Sequence, residues 1–180
     1  MTTAPLFHFS EAGDIAVFTP RQVTVPAARP PGMAWLNGPL VWAVDDWRQP
    51  MYLFPRDCPR ILIWPTEETT DADRDRYWER GEARMLAYVE QRWLDRLKRA
   101  TIFRYVLPRE SFTYVEAGMW VSRESVTPAQ VATLSDLPRR LAELDVELRS
   151  VPDLRTLKPL WGTSLHVSGI RLRNASQGWP

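Results

Sequence analysis

Few residues in this chain can do chemistry, and the first is His8, one of two histidines, set in Leu6-Phe7-His8-Phe9-Ser10. Bulky residues favour a strand there, and strand alternation puts Leu6, His8 and Ser10 on one face with Phe7 and Phe9 on the other. An imidazole so placed is either a satisfied histidine donating to a backbone carbonyl or a ligand-binding group, and the residues alone weigh the two evenly. The second group is Phe54-Pro55-Arg56-Asp57-Cys58-Pro59-Arg60. Two arginines on a proline-bounded turn hold planar forks suited to a phosphate or carboxylate, unless Asp57 locks them as a structural pair. They also flank the single cysteine and favour its thiolate, as a nucleophile requires. A lone cysteine is more often a small buried hydrophobe, and that is the expectation for Cys58. Two histidines and one cysteine give a transition-metal site little to be built from. Glycine-rich phosphate loops, paired-cysteine motifs, His-Glu-x-x-His helices and Gly-x-Ser-x-Gly elbows are absent from the sequence.

The elements that must position these groups belong to one expected domain, residues 1–180. Acidic and basic residues are interspersed and the net charge is +1, so no basic footprint supports a nucleic-acid partner; a nucleotide or small-molecule ligand is the expectation. One cysteine forms no internal disulfide, the first residues show no leader pattern, and no apolar run is long enough to span a bilayer, which points to the cytoplasm and away from membranes. Nine tryptophans supply large flat surfaces, and sixteen prolines imply short elements with rigid connectors.

After the opening strand, residues 21–38 are crowded with proline and glycine and read as a helix-free ordered loop, a candidate lid. Leu40 to Val44 is a buried strand, and Asp45-Asp46 can cap a helical turn through Phe54 in which Pro50 fits only the first turn. Arg60 to Trp64 is a strand. A helix is predicted from about Asp71 to Arg99, with acids at its start, Arg96, Lys98 and Arg99 at its end, and apolar Trp78, Met85, Val89, Trp93 and Leu97. At about 1.5 Å per residue it would be roughly 40 Å long, with a break near Gly81. Thr101 to Leu107 and Phe112 to Ser122 read as strands, and Thr127-Pro128 as a helix start. Ser135 can cap 137–144, Val146 to Val151 is a strand, Asp153 can cap 154–161, and the alternation at 165–172 flips phase at Gly169. The expected class is α+β, with one long helix and several short ones.

The order of a strand bearing His and Ser, then Val41-Trp42-Ala43, an aspartate and a turn bearing Tyr52, resembles the front half of the ADP-ribosyltransferase superfamily. Ala117-Gly118-Met119-Trp120-Val121-Ser122 and Val126-Thr127-Pro128 are similar to segments of its RNA 2'-phosphotransferase branch. The resemblance implies a split sheet whose cleft binds NAD, with His8 and Ser10 at the ribose and nicotinamide, Trp42 and Tyr52 as ring faces, and Arg56 and Arg60 at phosphate. In transfer of ADP-ribose, Glu116 would stand in for the family glutamate, whose place some alignments give to Gly118; in action on an RNA 2'-phosphate, Arg56, Arg60 and Arg123 would contribute. His8-Phe9-Ser10-Glu11, Val41-Trp42-Ala43-Val44-Asp45 and the Phe54–Arg60 segment also resemble a bacterial family of unknown function. The alternatives are a non-catalytic partner module of the same fold and a small hydrolase or transferase using Cys58.

Overall fold

The computed structural model describes residues 4–78 and 83–179. Among them the strands in chain order are β1 (Leu6–Ser10), β2 (Val41–Val44), β3 (Arg60–Trp64), β4 (Met85–Glu90), β5 (Ile102–Leu107), β6 (Thr113–Glu116), β7 (Met119–Ser122), β8 (Gln130–Leu134), β9 (Val146–Val151) and β10 (His166–Ile170). The helices are short: α1 (Asp71–Asp73), which runs into a π-helical turn at Arg74–Trp78, α2 (Leu94–Arg99), α3 (Leu137–Ala142) and several 3-10 turns. No described helix is long and apolar enough to cross a membrane. The fold is α+β with two sheets, and it divides into two compact units, Met1–Tyr52 with Ile102–Leu134 and Leu53–Thr101 with Ser135–Pro180. Each unit draws on two separate stretches of chain, so a single cut releases neither.

The first unit is a six-stranded sheet in the order β6-β7-β2-β1-β5-β8, antiparallel at every pairing. β1 lies inside it, as the apolar and polar faces of Leu6–Ser10 imply. On one face Leu6, Val41, Ala43, Tyr105 and Leu107 pack with Phe18, Phe112 and Val126 into a core. The Tyr105 ring is buried there, and its hydroxyl accepts from the Ile15 N–H at 3.1 Å and donates to the Ala12 carbonyl at 2.8 Å. A buried hydroxyl must be satisfied, and here the two bonds also tie the segment after β1 to the sheet.

Two sequence expectations fail in this unit for local reasons. Phe112–Ser122 is a hairpin, because Ala117 and Gly118 take φ of 48° and 72° and reverse the chain between β6 and β7. Paired positive φ values mark the tight turn whose twist matches flanking strands. Thr127-Pro128 leads into β8, where Val131 and Thr133 pair with Tyr105 and Phe103 of β5; their branched side chains suit a sheet surface better than a helix. The 21–38 loop also holds one 3-10 turn, Ala34–Asn37.

The second unit is a four-stranded sheet, β10-β3-β4-β9, parallel only between β4 and β9. β3 is buried at every position. Removing a side chain such as Ile61 or Leu62 from water is worth about 1.5–3 kcal/mol, so this strand anchors the unit.

The long helix predicted over Asp71–Arg99 does not form. Met85-Leu86-Ala87-Tyr88-Val89 is a continuous apolar run, and such a run fits a strand covered on both faces as well as a helix. Pairing decides it: β4 sits between β3 and β9, with only Tyr88 half-exposed. The acidic start and basic end of the predicted helix belong to separate elements, α1 and α2, and the expected break at Gly81 lies outside the described residues. At 154–162 the predicted helix is a 3-10 segment, with Asp153 accepting from the Arg155 N–H as its cap.

Candidate functional site

The register of the first sheet decides which candidate side chains meet. Phe7 pairs with Val44, and Phe9 with Arg104. Because partners on neighbouring strands share a face and the antiparallel register continues, Trp42, Phe9 and Arg104 form one row across β2, β1 and β5. His8 belongs to the next row and the opposite face, beside Ala43 and Tyr105.

His8 is half-buried, its ring centroid 4.7 Å from that of Phe18. Its Nδ1 lies 2.8 Å from the Trp42 carbonyl oxygen, a bond that requires the proton on Nδ1. His8 therefore reaches the backbone of Trp42 while the indole points to the other face. Ser10 turns its Oγ back to accept the Ala12 N–H at 3.1 Å and closes the strand.

On the Phe9 face, aromatic and cationic groups converge. Tyr52 ends the 3-10 turn Gln49–Tyr52, where Asp45 accepts the Arg48 N–H at 2.9 Å and Pro50 takes the second position. That turn holds the Tyr52 ring near-parallel to Phe9, at 14° with centroids 6.4 Å apart. The Arg29 guanidinium lies 5.6 Å from the Trp42 ring, and that of Arg104 lies 5.2 Å from the Phe7 ring. Arg104 Nη1 donates to the Oε1 of buried Gln49 at 3.1 Å, and Gln49 in turn donates to Asp46 Oδ1 at 2.5 Å. The Nε of Arg104 is buried without a hydrogen-bond partner. A buried guanidinium N–H left unpaired is costly, on the order of 1–3 kcal/mol, and an anionic acceptor would recover that cost.

Arg104, Phe9 and Gln49 are the residues that sequence reading missed. The signal for the first was present: an arginine inside the otherwise apolar Ile102–Leu107.

Glu116 is exposed at the end of β6, across a bulged register from Met119. Met119 pairs with Val44 and Val44 with Phe7, so three strand spacings, about 14 Å at ~4.8 Å each, separate Glu116 from β1. Gly118 is a turn residue, so strand alternation does not relate it to Glu116. Arg123 lies 5.1 Å over the Trp35 ring.

Arg56, Cys58 and Arg60 belong to the second unit. Arg60 is 4% exposed, donates to the Cys58 carbonyl at 3.0 Å and lies 5.1 Å from the Phe54 ring, whereas Arg56 is exposed. Cys58 is a fully buried free thiol. Burial pushes its pKa up to about 12, against the downward pull of Arg60, Arg96 and Arg92, so it is protonated at neutral pH. Alkylation of the native protein by iodoacetamide should accordingly be at least about a hundredfold slower than in urea, and Cys58→Ala should change ligand binding less than severalfold. Rapid native labelling in a mass-spectrometric time course would contradict this.

Among the described residues no group of three or more His, Cys, Asp or Glu side chains is placed to hold a metal ion. A family model described as Family of unknown function (DUF6886) matches residues 7–175. No curated protein and no solved structure matches the chain.

Proposed function

We propose, for a chain that belongs to the Family of unknown function (DUF6886), that the Phe9 face of its first sheet binds a nucleotide of the NAD class. The observation that carries this reading is the buried, unpaired Nε of Arg104, set in one row with Phe9 and Trp42, with the Tyr52 ring against Phe9. A phosphate oxygen satisfies the guanidinium, and a planar base or nicotinamide finds ring faces at Tyr52 and Trp42. Gln49, itself held by Asp46, fixes the fork, so little side-chain freedom is lost on binding.

The ADP-ribosyltransferase resemblance suggests what could follow binding: cleavage of the nicotinamide–ribose bond, or action on an RNA 2'-phosphate. His8 and Glu116 are the groups it assigns to that chemistry. His8 sits on the far face of β1 and Glu116 about 14 Å away along the strand order, so the Phe9 face by itself supports binding, and transfer would need a further step. Arg56 and Arg60, the phosphate forks that the resemblance implies, belong to the second unit and are not part of this proposal.

Isothermal titration of the full chain with NAD, ADP-ribose and AMP tests the proposal. The parent should bind at least one, and Arg104→Met or Tyr52→Ala should each weaken it by about 1–3 kcal/mol, five- to a hundredfold, with His8→Ala smaller than either. Thermal melts separate lost contacts from lost fold. A parent that binds none of the three would favour a partner module instead, for which Trp35 and Trp47, 38% and 43% exposed, are among the large apolar side chains at the surface.

A further inference from the structure

The two sheets end on four edge strands, and three of them carry features that discourage pairing with another chain. β6 is bulged between Tyr114 and Glu116 and ends on that exposed carboxylate. β9 bears Glu147 and Arg149, paired with each other at 2.7 Å. β10 includes Gly169, against which Trp161 and Leu172 pack, and is followed by Arg171, whose φ of 55° turns the chain away. Charges, bulges and covering side chains are the means by which native sheets suppress edge-to-edge pairing.

β8 carries no charge and no bulge. Residues 125–135 contain no charged side chain. The register with β5 is unbroken from Val106↔Gln130 to Ile102↔Leu134, and Val131 is 51% exposed, flanked by exposed Gln130 and Thr133. Among the described residues the strand's partner is β5 alone, so its outer row of N–H and C=O groups is a template for a further strand.

We propose that β8 is a self-association edge, on which a second copy of this chain adds its own β8 antiparallel about a two-fold axis through Ala132. The match of the edge to its own copy points to this occupant: a second copy brings the same uncharged strand, so no like charges face one another across the pairing. The two-fold closes the assembly, because each copy offers the same patch to the other. An axis at Ala132 overlaps the whole strand: Gln130 faces Leu134, and Val131 faces Thr133, so the branched side chains meet on one face. The two six-stranded sheets then continue as one across the axis.

Sedimentation of the full chain over a micromolar concentration series reads the outcome. The parent is expected to dimerise in that range. Val131→Lys combined with Thr133→Lys sets like charges opposite one another on both sides of the axis and should raise the dimer Kd about tenfold or more. Val131→Lys combined with Thr133→Glu sets opposite charges there and should return Kd to within severalfold of the parent. Both positions are exposed, so the monomer should keep its melting temperature in each variant. A parent monomeric throughout the series overturns the proposal. So does a dimer that survives the lysine pair, a lysine–glutamate variant that stays dissociated, or a monomeric parent that instead takes an extended peptide along β8.

Discussion

Glu90→Ala is expected to lower the unfolding free energy of the protein by about 3 kcal/mol. Glu90 ends β4 and is fully buried, yet it is ionised and well served. The Ser176 N–H donates to both carboxylate oxygens, at 2.9 and 3.1 Å, the Ser176 hydroxyl to Oε1 at 2.8 Å and Arg92 Nε to Oε2 at 2.8 Å. Arg92 also reaches the Asn174 carbonyl, so the 174–176 segment is tied to β4 through this carboxylate and its arginine, and separately to the Cys58 turn by the Asn174 amide, which donates to the Asp57 carbonyl. Removing it takes the acceptor from the Ser176 and Arg92 donors, which lie on exposed residues, and leaves a void where the buried carboxylate stood, together worth about 3 kcal/mol. Glu90→Gln keeps the volume but turns a donor towards the Ser176 N–H, and about half the loss should remain.

The same carboxylate predicts a pH dependence. Burial on its own raises the Glu90 pKa, but the bonds from Ser176 and Arg92 outweigh it and hold the group below the ordinary glutamate range. A folded pKa below the unfolded one means stability that is complete above the unfolded value of about 4.3 and is lost as pH falls through the folded value. The acid limb of the stability curve should therefore flatten in Glu90→Gln. Urea titrations at neutral and acidic pH measure both effects. A midpoint unchanged by either substitution would show that the latch does not contribute to folding.

Gly118→Ala should cost about 2–3 kcal/mol, while Ala117→Gly, one residue earlier in the same turn, should be neutral or stabilising by up to ~1 kcal/mol. Gly118 has φ of +72°, where an L side chain is strained by about 1–2 kcal/mol. A Cβ there would also stand 2.3 Å from Arg48 Cγ and 2.6 Å from Asp45 Oδ2. Arg48 can swing aside. Asp45 cannot do so without releasing the Arg48 N–H that it caps, and a lost cap adds about 1 kcal/mol. Ala117, at φ 48°, already bears the strain that glycine would relieve, offset in part by the greater freedom of glycine in the unfolded chain. Since the Asp45 turn also carries Tyr52, Gly118→Ala should weaken nucleotide binding as well, and Ala117→Gly should leave it intact. Opposite signs from adjacent residues, read by thermal melts, distinguish backbone strain from general disturbance of the hairpin.

The sequence by itself determined much of the local structure. Proline, glycine and acidic caps placed the short strands β1, β2, β3, β5 and β9, the Asp45 turn and the Asp153 cap, because those signals act through backbone geometry within a few residues. It also marked Cys58 as a buried hydrophobe, since crowding between two prolines and large apolar neighbours is a local property. Residues 7–175 carry enough of a pattern to assign the family.

Tertiary structure decided the rest. Met85–Val89 satisfies both a helical and a strand template, and only the flanking β3 and β9 select the strand. The same holds for Gln130–Leu134, where β5 supplies the partner. The candidate site shows the point most directly. Alternation along β1 separates His8 from Phe9, but whether Trp42 stands with one or the other depends on the register of β2, and a slip of one residue would reverse it. The pairing of Phe7 with Val44 settles that choice and puts Trp42 with Phe9, and the separate pairing of Phe9 with Arg104 brings in the arginine from β5. Register is a property of two strands together, and no single stretch of sequence contains it.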